Sequence, residues 1–323
     1  MILGFHSKQL TERGTEVALF DYAVSAQRLL GHEVRLFVPA TTPKLIPEVR
    51  ARFEEHMDVS LYDDPDEIRC DALYVIKRGF PGRVTPDVPE LVHAFQDASH
   101  PHGDRFATVS KWVSSTAAWN LRLPRGRVVA VPKPWKPPFV PHIVTLPELD
   151  DDFREELSIP DDAVVFGRHG GEGTFSIDYV RHAIRDALDR RRDLWFVLIN
   201  VDRFVDDPRI VHVPLLIDRA DVRRFVNTCD YMIHAYALGE TFGLAVAEFA
   251  YAGVPVMTPL GTPRLAQFDL LEGELLLAYR DYEDLLAKFT TLPRRTAPVP
   301  SDVRATYSPE RVMQTFDEVF LSR

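Results

Sequence analysis

One block in the second half of the chain constrains the fold most strongly: residues 239–256 read GETFGLAVAEFAYAGVPV. Glycines open the block, small apolar residues fill it, and Gly253 and Pro255 end it. This pattern predicts a turn, a helix over residues 244–252 and a strand over residues 255–257. The alanines keep the helix slim, so we expect it to pack closely against a sheet.

Glu248 is the anomalous residue of this block. It stands among apolar neighbours in the predicted helix, where an ionised carboxylate is costly unless a polar group meets it. A ligand with paired hydroxyl groups is one such partner. Glu240 lies just before the helix, and a helix N-terminus is a favourable place for phosphate. The alternative is that both glutamates lie on an ordinary exposed helix.

The same block resembles the signature of the family-4 retaining glycosyltransferases, which have the GT-B fold. The resemblance implies that Glu248 binds the ribose diol of a sugar nucleotide and that Glu240 lies beside the donor sugar. It also implies that the loop of Thr241, Phe242, Gly243 and Leu244 contacts sugar and phosphate.

Strand and helix patterns alternate along the chain, which favours parallel sheets covered on both faces. In the first part, strands are predicted over residues 1–5, 34–38, 72–76, 91–95 and 107–109, and helices over 15–30 and 43–56. In the second part, strands are predicted over residues 163–166, 194–199, 210–213, 231–234 and 255–257, and helices over 177–190, 220–228 and 244–252.

Eight prolines between residues 124 and 160 separate these two parts. We interpret this stretch as an interdomain connection with a short helix over residues 151–157. Ser308 and Pro309 predict the start of a last helix with one apolar face. We therefore expect an α/β protein with two doubly wound, Rossmann-like domains, over residues 1–145 and 146–305, and a terminal helix over 306–323. The resemblance implies a GT-B arrangement, in which the two domains face each other across a cleft. It also implies that the second domain binds the donor, that the first binds the acceptor, and that the terminal helix returns to the first domain.

Composition excludes several other classes. The net charge of −10 supplies no strongly basic field for nucleic acid or an anionic membrane. No apolar run has the length of a membrane span, and the first residues lack the positive leader of a signal peptide. The two cysteines are far apart in sequence, which favours a reducing compartment. We expect a cytoplasmic protein.

Arg168 follows a predicted strand and precedes Gly170, so it should lie at the carboxyl edge of the second sheet, where open parallel sheets bind ligands. It resembles the family's arginine that neutralises the departing diphosphate, and a guanidinium can grip phosphate oxygens at two points. The alternative is a surface ion pair. Many relatives have a lysine about six residues later, where this chain has Thr174.

Four further residues are candidates for the donor site. Gly14 and Thr15 resemble the family's glycine-rich loop near the donor phosphates, although the following Glu16 is equally suited to a first helical turn. His93 resembles the family's strand-end histidine near the donor sugar; the alternative is a buried histidine with its hydrogen bonds satisfied. Asn200 follows a predicted strand and is expected to line the donor site.

Two local motifs have other readings. His100 and His102 lie in a Pro-Gly turn without a four-ligand metal pattern, so no metal site is predicted. Residues 132–138 read PKPWKPP, which we interpret as a stiff linker, with a partner-binding motif as the alternative.

By resemblance, the predicted reaction is metal-independent, retaining transfer of a hexosyl-type sugar from a nucleoside-diphosphate sugar to the hydroxyl of a glycan or small molecule. The nucleotide sugar is a co-substrate, no cofactor is expected, and the oligomeric state is open. Three alternatives remain: a sugar-nucleotide epimerase of the same fold, a phosphorylase-like enzyme, and a non-catalytic sugar-nucleotide-binding protein.

Overall fold

The computed structural model describes residues 1–42, 44–122 and 128–322. The chain forms two compact units, Met1–Ile143 with Thr306–Arg323, and Val144–Ala305. Each unit is built around a six-stranded sheet in which all neighbouring strands are parallel. The predicted α/β class with two doubly wound sheets is confirmed.

The first sheet has the strand order β3-β2-β1-β4-β5-β6. Its strands are β1 (Ile2–His6), β2 (Glu33–Pro39), β3 (Asp58–Tyr62), β4 (Ala72–Lys77), β5 (Glu90–Ala94) and β6 (Arg105–Thr108). The helices that follow strands of this unit are α1 (Gly14–Leu30), α2 (Pro47–Glu54) and α3 (Lys111–Ser115). The predicted helix over residues 43–56 is shorter than expected and begins with Pro47, a residue suited to a first helical position because it lacks an N–H group. Its predicted first residue, 43, lies outside the described residues.

An antiparallel hairpin follows α3 and was not predicted. Its strands are β7 (Ala118–Arg122) and β8 (Val128–Pro132), and they pair with each other. The prediction of a simple connection from residue 124 is therefore wrong for residues 128–132, while residues 124–127 lie outside the described residues. The predicted helix over residues 151–157 is also wrong. The chain makes a turn there, closed by the amide of Ile159 on the carbonyl of Arg154, and Ser158 has a positive φ of 55° that no α-helix contains.

The second sheet has the order β11-β10-β9-β12-β13-β14. Its strands are β9 (Val164–Arg168), β10 (Leu194–Ile199), β11 (Ile210–Val213), β12 (Tyr231–Ile233), β13 (Val256–Pro259) and β14 (Leu276–Tyr279). The helices of this part of the chain are α4 (Asp178–Arg190), α5 (Arg219–Thr228), α6 (Leu244–Tyr251), α7 (Tyr282–Thr291) and the short α8 (Val303–Thr306). The strands and helices predicted between residues 163 and 257 are confirmed, and no end is shifted by more than two residues.

The central pair of the second sheet, β9 and β12, defines a topological switch point. The chain proceeds from β9 to β10 and β11 on one side and from β12 to β13 and β14 on the other. Loops at the carboxyl ends of two such strands diverge and leave a crevice between them, which is where open α/β sheets bind ligands.

The terminal helix α9 (Pro309–Phe316) belongs to the first unit, and one further turn follows it at Asp317–Leu321. Ser308 caps this helix as predicted, because its Oγ accepts the amide of Arg311 at 3.3 Å. The ring of Phe316 lies 5.4 Å from Tyr22 and 5.2 Å from Tyr74, so the apolar face of α9 is buried against the first unit. No helix within the described ranges has the length and apolar composition of a membrane span.

Candidate functional site

Arg168 ends β9 at the switch point of the second sheet, where the prediction placed it. Its side chain is almost fully buried, and its guanidinium donates to three carbonyl oxygens through Nη1: Ile199 at 2.5 Å, Gly170 at 3.1 Å and Asn200 at 3.2 Å. Nη2 donates to the carbonyl of Gly171 at 2.9 Å. Arg168 therefore ties the end of β9 to the end of β10 and to the loop that follows β9.

Both terminal nitrogens of Arg168 donate to the protein in this arrangement, and its two-point grip on phosphate stays a prediction. Burial lowers the pKa of Arg168 to about 10, and the nearby carboxylate of Glu240 opposes that shift. The guanidinium thus stays positively charged at neutral pH. It places a fixed charge at the switch point and organises the loop around it.

Thr174 stands where many relatives of the resembled family have a lysine, and its hydroxyl completes the set of partners for Arg168. Its Oγ1 accepts from Arg168 Nη2 at 2.5 Å and donates to the carbonyl of Gly171 at 2.9 Å. Gly170 makes this close loop possible. Its φ of 148° is rare for other residues, and a Cβ there would lie 3.1 Å from Thr174 Oγ1.

Glu248 lies on α6 and is 1% exposed, so the expected burial of this carboxylate is confirmed. Its partner within the protein is Arg219, the first residue of α5, which sequence analysis did not select. Arg219 Nη1 donates to Glu248 Oε1 at 2.5 Å, and Nη2 donates to the carbonyl of Thr145 at 2.6 Å. Half of the carboxylate is therefore satisfied without any ligand.

The other carboxylate oxygen, Glu248 Oε2, is enclosed and accepts no hydrogen bond from the described residues. It faces His169, whose Nε2 lies 3.6 Å away. Burial, with smaller contributions from Arg168 and Arg219, lowers the pKa of His169, although Glu248 opposes the shift. The imidazole is then neutral at pH 7. Glu248 Oε2 is therefore a buried acceptor with unused capacity.

Glu240 lies in the loop that follows β12 and is held by a histidine. His234 Nε2 donates to Glu240 Oε1 at 3.2 Å, since a carboxylate oxygen can only accept, and His234 Nδ1 lies 2.8 Å from the hydroxyl of Thr258. The amide of Glu240 also donates to Gln267 Oε1 at 3.0 Å. The Glu240 side chain is 26% exposed. It is thus fixed in direction while remaining accessible to a ligand.

The loop after Glu240 leads directly into α6. Phe242 is buried, while Thr241, Gly243 and Leu244 are half-buried. Gly243 occupies the N-cap position of α6 with a φ of 92°, a conformation that favours glycine, and a Cβ there would meet the Glu240 side chain at 3.0 Å. The first amides of α6 consequently start beside Glu240, as expected for a place that receives negative charge.

Asn200 directly follows β10 and adopts the left-handed conformation, with a φ of 56°, which asparagine tolerates better than most residues. Its Nδ2 donates weakly to the carbonyl of Gly170 at 3.4 Å. Asn200 also lines a cavity of about 370 Å³ at the carboxyl ends of β10 and β11, together with Phe175, Arg181 and His212. This position at the carboxyl edge agrees with the expectation for Asn200.

Gly14 and Thr15 belong to the other unit, where α1 begins after β1. The hydroxyl of Thr15 donates to Glu16 Oε2 at 2.8 Å, and the Glu16 carboxylate is buried beside Ser7 and Thr11. Burial raises the pKa of Glu16 despite these hydrogen bonds. Glu16 is therefore an internal anchor of the loop between β1 and α1. Space is open around Gly14.

The prediction that His93 lies in a ligand-binding cleft is wrong. Its side chain is 0% exposed, and its Nδ1 lies 2.5 Å from the hydroxyl of Tyr74. The rings of Tyr22, His142 and Phe320 surround it at 5.6–5.8 Å. Burial lowers the pKa of His93 to about 4. His93 is a core histidine, because β5 is covered by Tyr22 of α1 and by Phe320 of the terminal segment; its hydrogen bonds are only partly satisfied, since its Nε2 has no partner among the described residues.

Potential metal ligands do not cluster in the described residues: no group of three or more His, Cys, Asp or Glu side chains is placed to hold an ion. His102 Nδ1 instead lies 2.7 Å from the carbonyl of His100, as expected in a tight turn.

Solved structures share this architecture along almost the whole chain. HepE from Anabaena, solved with UDP and glucose, has a TM-score of 0.64 at 13% sequence identity, covering 98% of each chain. Sucrose-phosphate synthase from Thermosynechococcus elongatus has a TM-score of 0.63 at 12% identity, again covering 98% of each chain. WaaG, a glycosyltransferase involved in lipopolysaccharide biosynthesis, has a TM-score of 0.59 at 12% identity and matches over 100% of each chain. No protein-family model and no curated protein sequence matches the chain.

These likenesses, together with the two parallel six-stranded sheets, show that the chain has the GT-B fold of glycosyltransferases. The structure brings Arg168, Glu240 and Glu248 to the carboxyl edge of one sheet, and it adds three residues that sequence analysis missed. Those residues are Arg219, His169 and His234. A signal existed for each, since His169 and His234 follow or end predicted strands and Arg219 immediately precedes a predicted helix.

Proposed function

We propose that this chain is a retaining, metal-independent glycosyltransferase that moves a hexosyl-type sugar from a nucleoside-diphosphate sugar to a hydroxyl group. The donor binds to the second unit and the acceptor, a glycan or a small molecule, binds to the first. The corresponding domains are residues 146–305 and 1–145, with residues 306–323 completing the first. We also propose a cytoplasmic location, because both cysteines are free, as is usual in a reducing compartment.

One observation carries this proposal: the switch point of the second sheet collects a buried carboxylate, an accessible carboxylate and a buried cation. Glu248 Oε2 retains acceptor capacity in an apolar helix, Glu240 is oriented by His234, and Arg168 supplies positive charge beside Glu240. A nucleotide sugar presents the complementary groups, which are hydroxyls on two sugars and a diphosphate between them.

In the proposed complex, Glu248 accepts a hydrogen bond from a ribose hydroxyl, and Glu240 accepts one from a hydroxyl of the donor sugar. The amides at the start of α6, with Thr241 and Leu244, face the diphosphate. Gly14 and Thr15 offer further amides to phosphate from the loop after β1, and Gly170 and Asn200 shape the donor site at the ends of β9 and β10. His93 has no part in this mechanism.

The chemical step follows from the charges at the site. The bond between the anomeric carbon and the diphosphate oxygen breaks, and the departing diphosphate gains negative charge, which the fixed charge of Arg168 and the helix amides stabilise. The acceptor hydroxyl forms the new bond on the same face of the sugar. Its proton passes to an oxygen of the departing phosphate, so no protein nucleophile is required.

A thermal-shift screen of the whole chain against a panel of nucleotide sugars tests the proposal, because a ligand that binds the folded state raises the melting temperature by mass action. A rise in melting temperature with one nucleotide sugar, and not with those that carry another base or sugar, identifies the donor. Products are then followed with candidate acceptors, and retention is checked from the anomeric configuration. Absence of stabilisation by every member of the panel would refute donor binding.

A second candidate, a sugar-nucleotide-binding protein without transferase activity, is favoured by one specific observation. Thr174 stands where a second cation is expected, and it engages Arg168 instead of phosphate. Leaving-group stabilisation is then weaker than in a site with two free cations. This candidate predicts donor binding in calorimetry without transfer or hydrolysis for any acceptor.

A further inference from the structure

One face of the hairpin of β7 and β8 carries the exposed side chains of Trp119 and Val129. Trp119 is paired with Val131 across the hairpin, and residues at a spacing of two along a strand share a face. Val129, Val131 and Lys133 therefore lie on the same side as Trp119. The two strands pair with each other and with no other strand among the described residues. An isolated two-stranded ribbon of this kind has little internal stability of its own.

The apolar side chains on this face are exposed to an unusual degree. Trp119 is 48% exposed, Trp135 51% and Val129 38%. Lys133 lies beside both indoles: its Nζ is 6.0 Å from the Trp119 ring and 5.8 Å from the Trp135 ring, and it donates to the carbonyl of Ser99 at 2.6 Å. We call Trp119, Val129, Lys133 and Trp135 the hairpin patch.

The stretch of chain that carries the hairpin patch has a charge opposite to that of the whole chain. Residues 105–147 contain seven lysines and arginines and no aspartate or glutamate, although the net charge of the chain is −10. Three of the four tryptophans of the chain are also in this stretch. The cations Lys111 and Lys136 flank the hairpin and are exposed. The local surface therefore combines positive charge with amphipathic aromatic rings.

We propose that the hairpin patch is a docking surface for an anionic lipid membrane. Tryptophan is the side chain that best suits the boundary between headgroups and acyl chains, since its ring is apolar and its N–H remains near water. Lysines beside it gain from the negative surface potential, which decays within a Debye length, so the distant negative charge of the chain has little influence. Val129 gains from contact with acyl chains but has no complementary group on a nucleic acid, which favours lipid over RNA.

Vesicle co-sedimentation of the full chain tests this proposal. Vesicles of phosphatidylcholine with about 30 mole percent phosphatidylglycerol are compared with vesicles of phosphatidylcholine alone. We expect binding to the anionic vesicles, weakening as salt is raised, and little binding to the neutral ones. Tryptophan fluorescence should shift to shorter wavelength on binding, because the indoles leave water.

Two variants locate the surface. Lys111→Glu with Lys136→Glu keeps Lys133 in place and should weaken binding by about tenfold or more, since each lysine near an anionic surface contributes a factor of about five. The charge-matched control is Arg192→Glu with Arg294→Glu, two exposed residues of the second unit, and it should bind within about twofold of the original chain. Trp119→Ala with Trp135→Ala should also weaken binding, while Leu61→Ala, at an exposed leucine of the edge strand β3, should not.

The outcomes separate clearly. Anionic-vesicle binding that is lost in both patch variants and kept in both controls supports the proposal. The proposal is overturned if the patch and control variants bind equally well, or if the original chain does not bind anionic vesicles. It is also overturned if the patch variants lose binding to RNA, or lose dimer formation, and keep their binding to vesicles. Circular dichroism checks that each variant is folded, and the lysine variant keeps the test valid if the tryptophan variant is not. The result is independent of whether any nucleotide sugar binds.

Discussion

Removing Arg219 tests the electrostatics of the candidate site more sharply than removing Glu248. In Arg219→Ala, the Glu248 carboxylate, which is 1% exposed in the original chain, loses its hydrogen-bond donor. In Glu248→Ala, Arg219 keeps a side chain that is 21% exposed and still donates to the carbonyl of Thr145. The Glu248 side chain is 2% exposed and the Arg219 side chain 21%, so we expect the two substitutions to differ in cost.

The magnitudes follow from this difference in burial. Breaking a buried ion pair by removing one partner costs about 3–5 kcal/mol. For Arg219→Ala we expect about 3 kcal/mol of unfolding free energy, because His169 Nε2 stays 3.6 Å from the carboxylate. For Glu248→Ala we expect about 1–2 kcal/mol, since the remaining cation is partly hydrated. At about 2–4 °C per kcal/mol, Arg219→Ala should lower the melting temperature by about 6–12 °C.

The assay is thermal and urea unfolding of both single variants and of the double variant. The double variant should be more stable than Arg219→Ala alone, because removing Glu248 also removes the uncompensated buried charge. Arg223→Ala is the matched control on the same helix; Arg223 Nε donates to the carbonyl of Leu149 at 3.3 Å, and its loss should cost about 1 kcal/mol. Additive losses in the double variant, or a smaller loss for Arg219→Ala than for Glu248→Ala, would refute the reasoning.

Three further substitutions have defined expectations. Arg168→Ala should lower both the melting temperature and kcat, because the buried guanidinium connects the strand ends and also carries charge. Arg168→Lys should restore little of either, since one ammonium group cannot reach the five acceptors of the guanidinium. An unaltered kcat in Arg168→Ala would assign the phosphate role to another residue. Thr174→Lys should strengthen the binding of a nucleoside diphosphate by about fivefold or more in calorimetry and leave the binding of the nucleoside unchanged. Equal effects on both ligands would contradict a phosphate position beside residue 174. The pKa of His93 is lowered to about 4, so the unfolded chain takes up this proton at a higher pH than the folded chain, and the free energy of unfolding falls as the pH drops from 6.5 towards 4. His93→Gln should remove about 3 kcal/mol of that loss, measured by urea titrations at pH 6.5 and pH 4. An unchanged pH dependence in this variant would show that His93 does not cause it.

Periodicity predicted most of the second sheet because its strands are short, continuous apolar runs separated by amphipathic helices. The predicted ranges 194–199 and 210–213 agree with β10 and β11 at both ends. The missed β3, with the sequence DVSLY, has polar residues at alternate positions and lies at the edge of its sheet, so it carries a weaker apolar signal. The proline-rich stretch was predicted to be a connection without strands, but a proline at a strand end, as in β8, is compatible with a hairpin.

The site was predictable in position but not in its internal contacts. Strand ends and glycine turns indicated where Arg168 and Glu248 lie, since those features are local. The partners of both residues come from elements distant in sequence: Arg219 is 29 residues from Glu248, and Ile199 is 31 from Arg168. His93 was misassigned for the same reason, because the terminal helix that buries it lies more than 200 residues further along the chain.

Binding of a nucleotide sugar to the carboxyl edge of the second sheet is the central claim, and titration calorimetry measures it directly. The donor selected by the thermal-shift screen is titrated into the original chain, into Glu248→Ala, and into Glu283→Ala, which changes an exposed glutamate on α7. We expect affinity to fall about tenfold or more in Glu248→Ala, because a hydrogen bond to a charged group contributes about 1.5–3 kcal/mol, and to stay unchanged in the control. Equal affinity of the original chain and Glu248→Ala, in folded proteins, would contradict the claim.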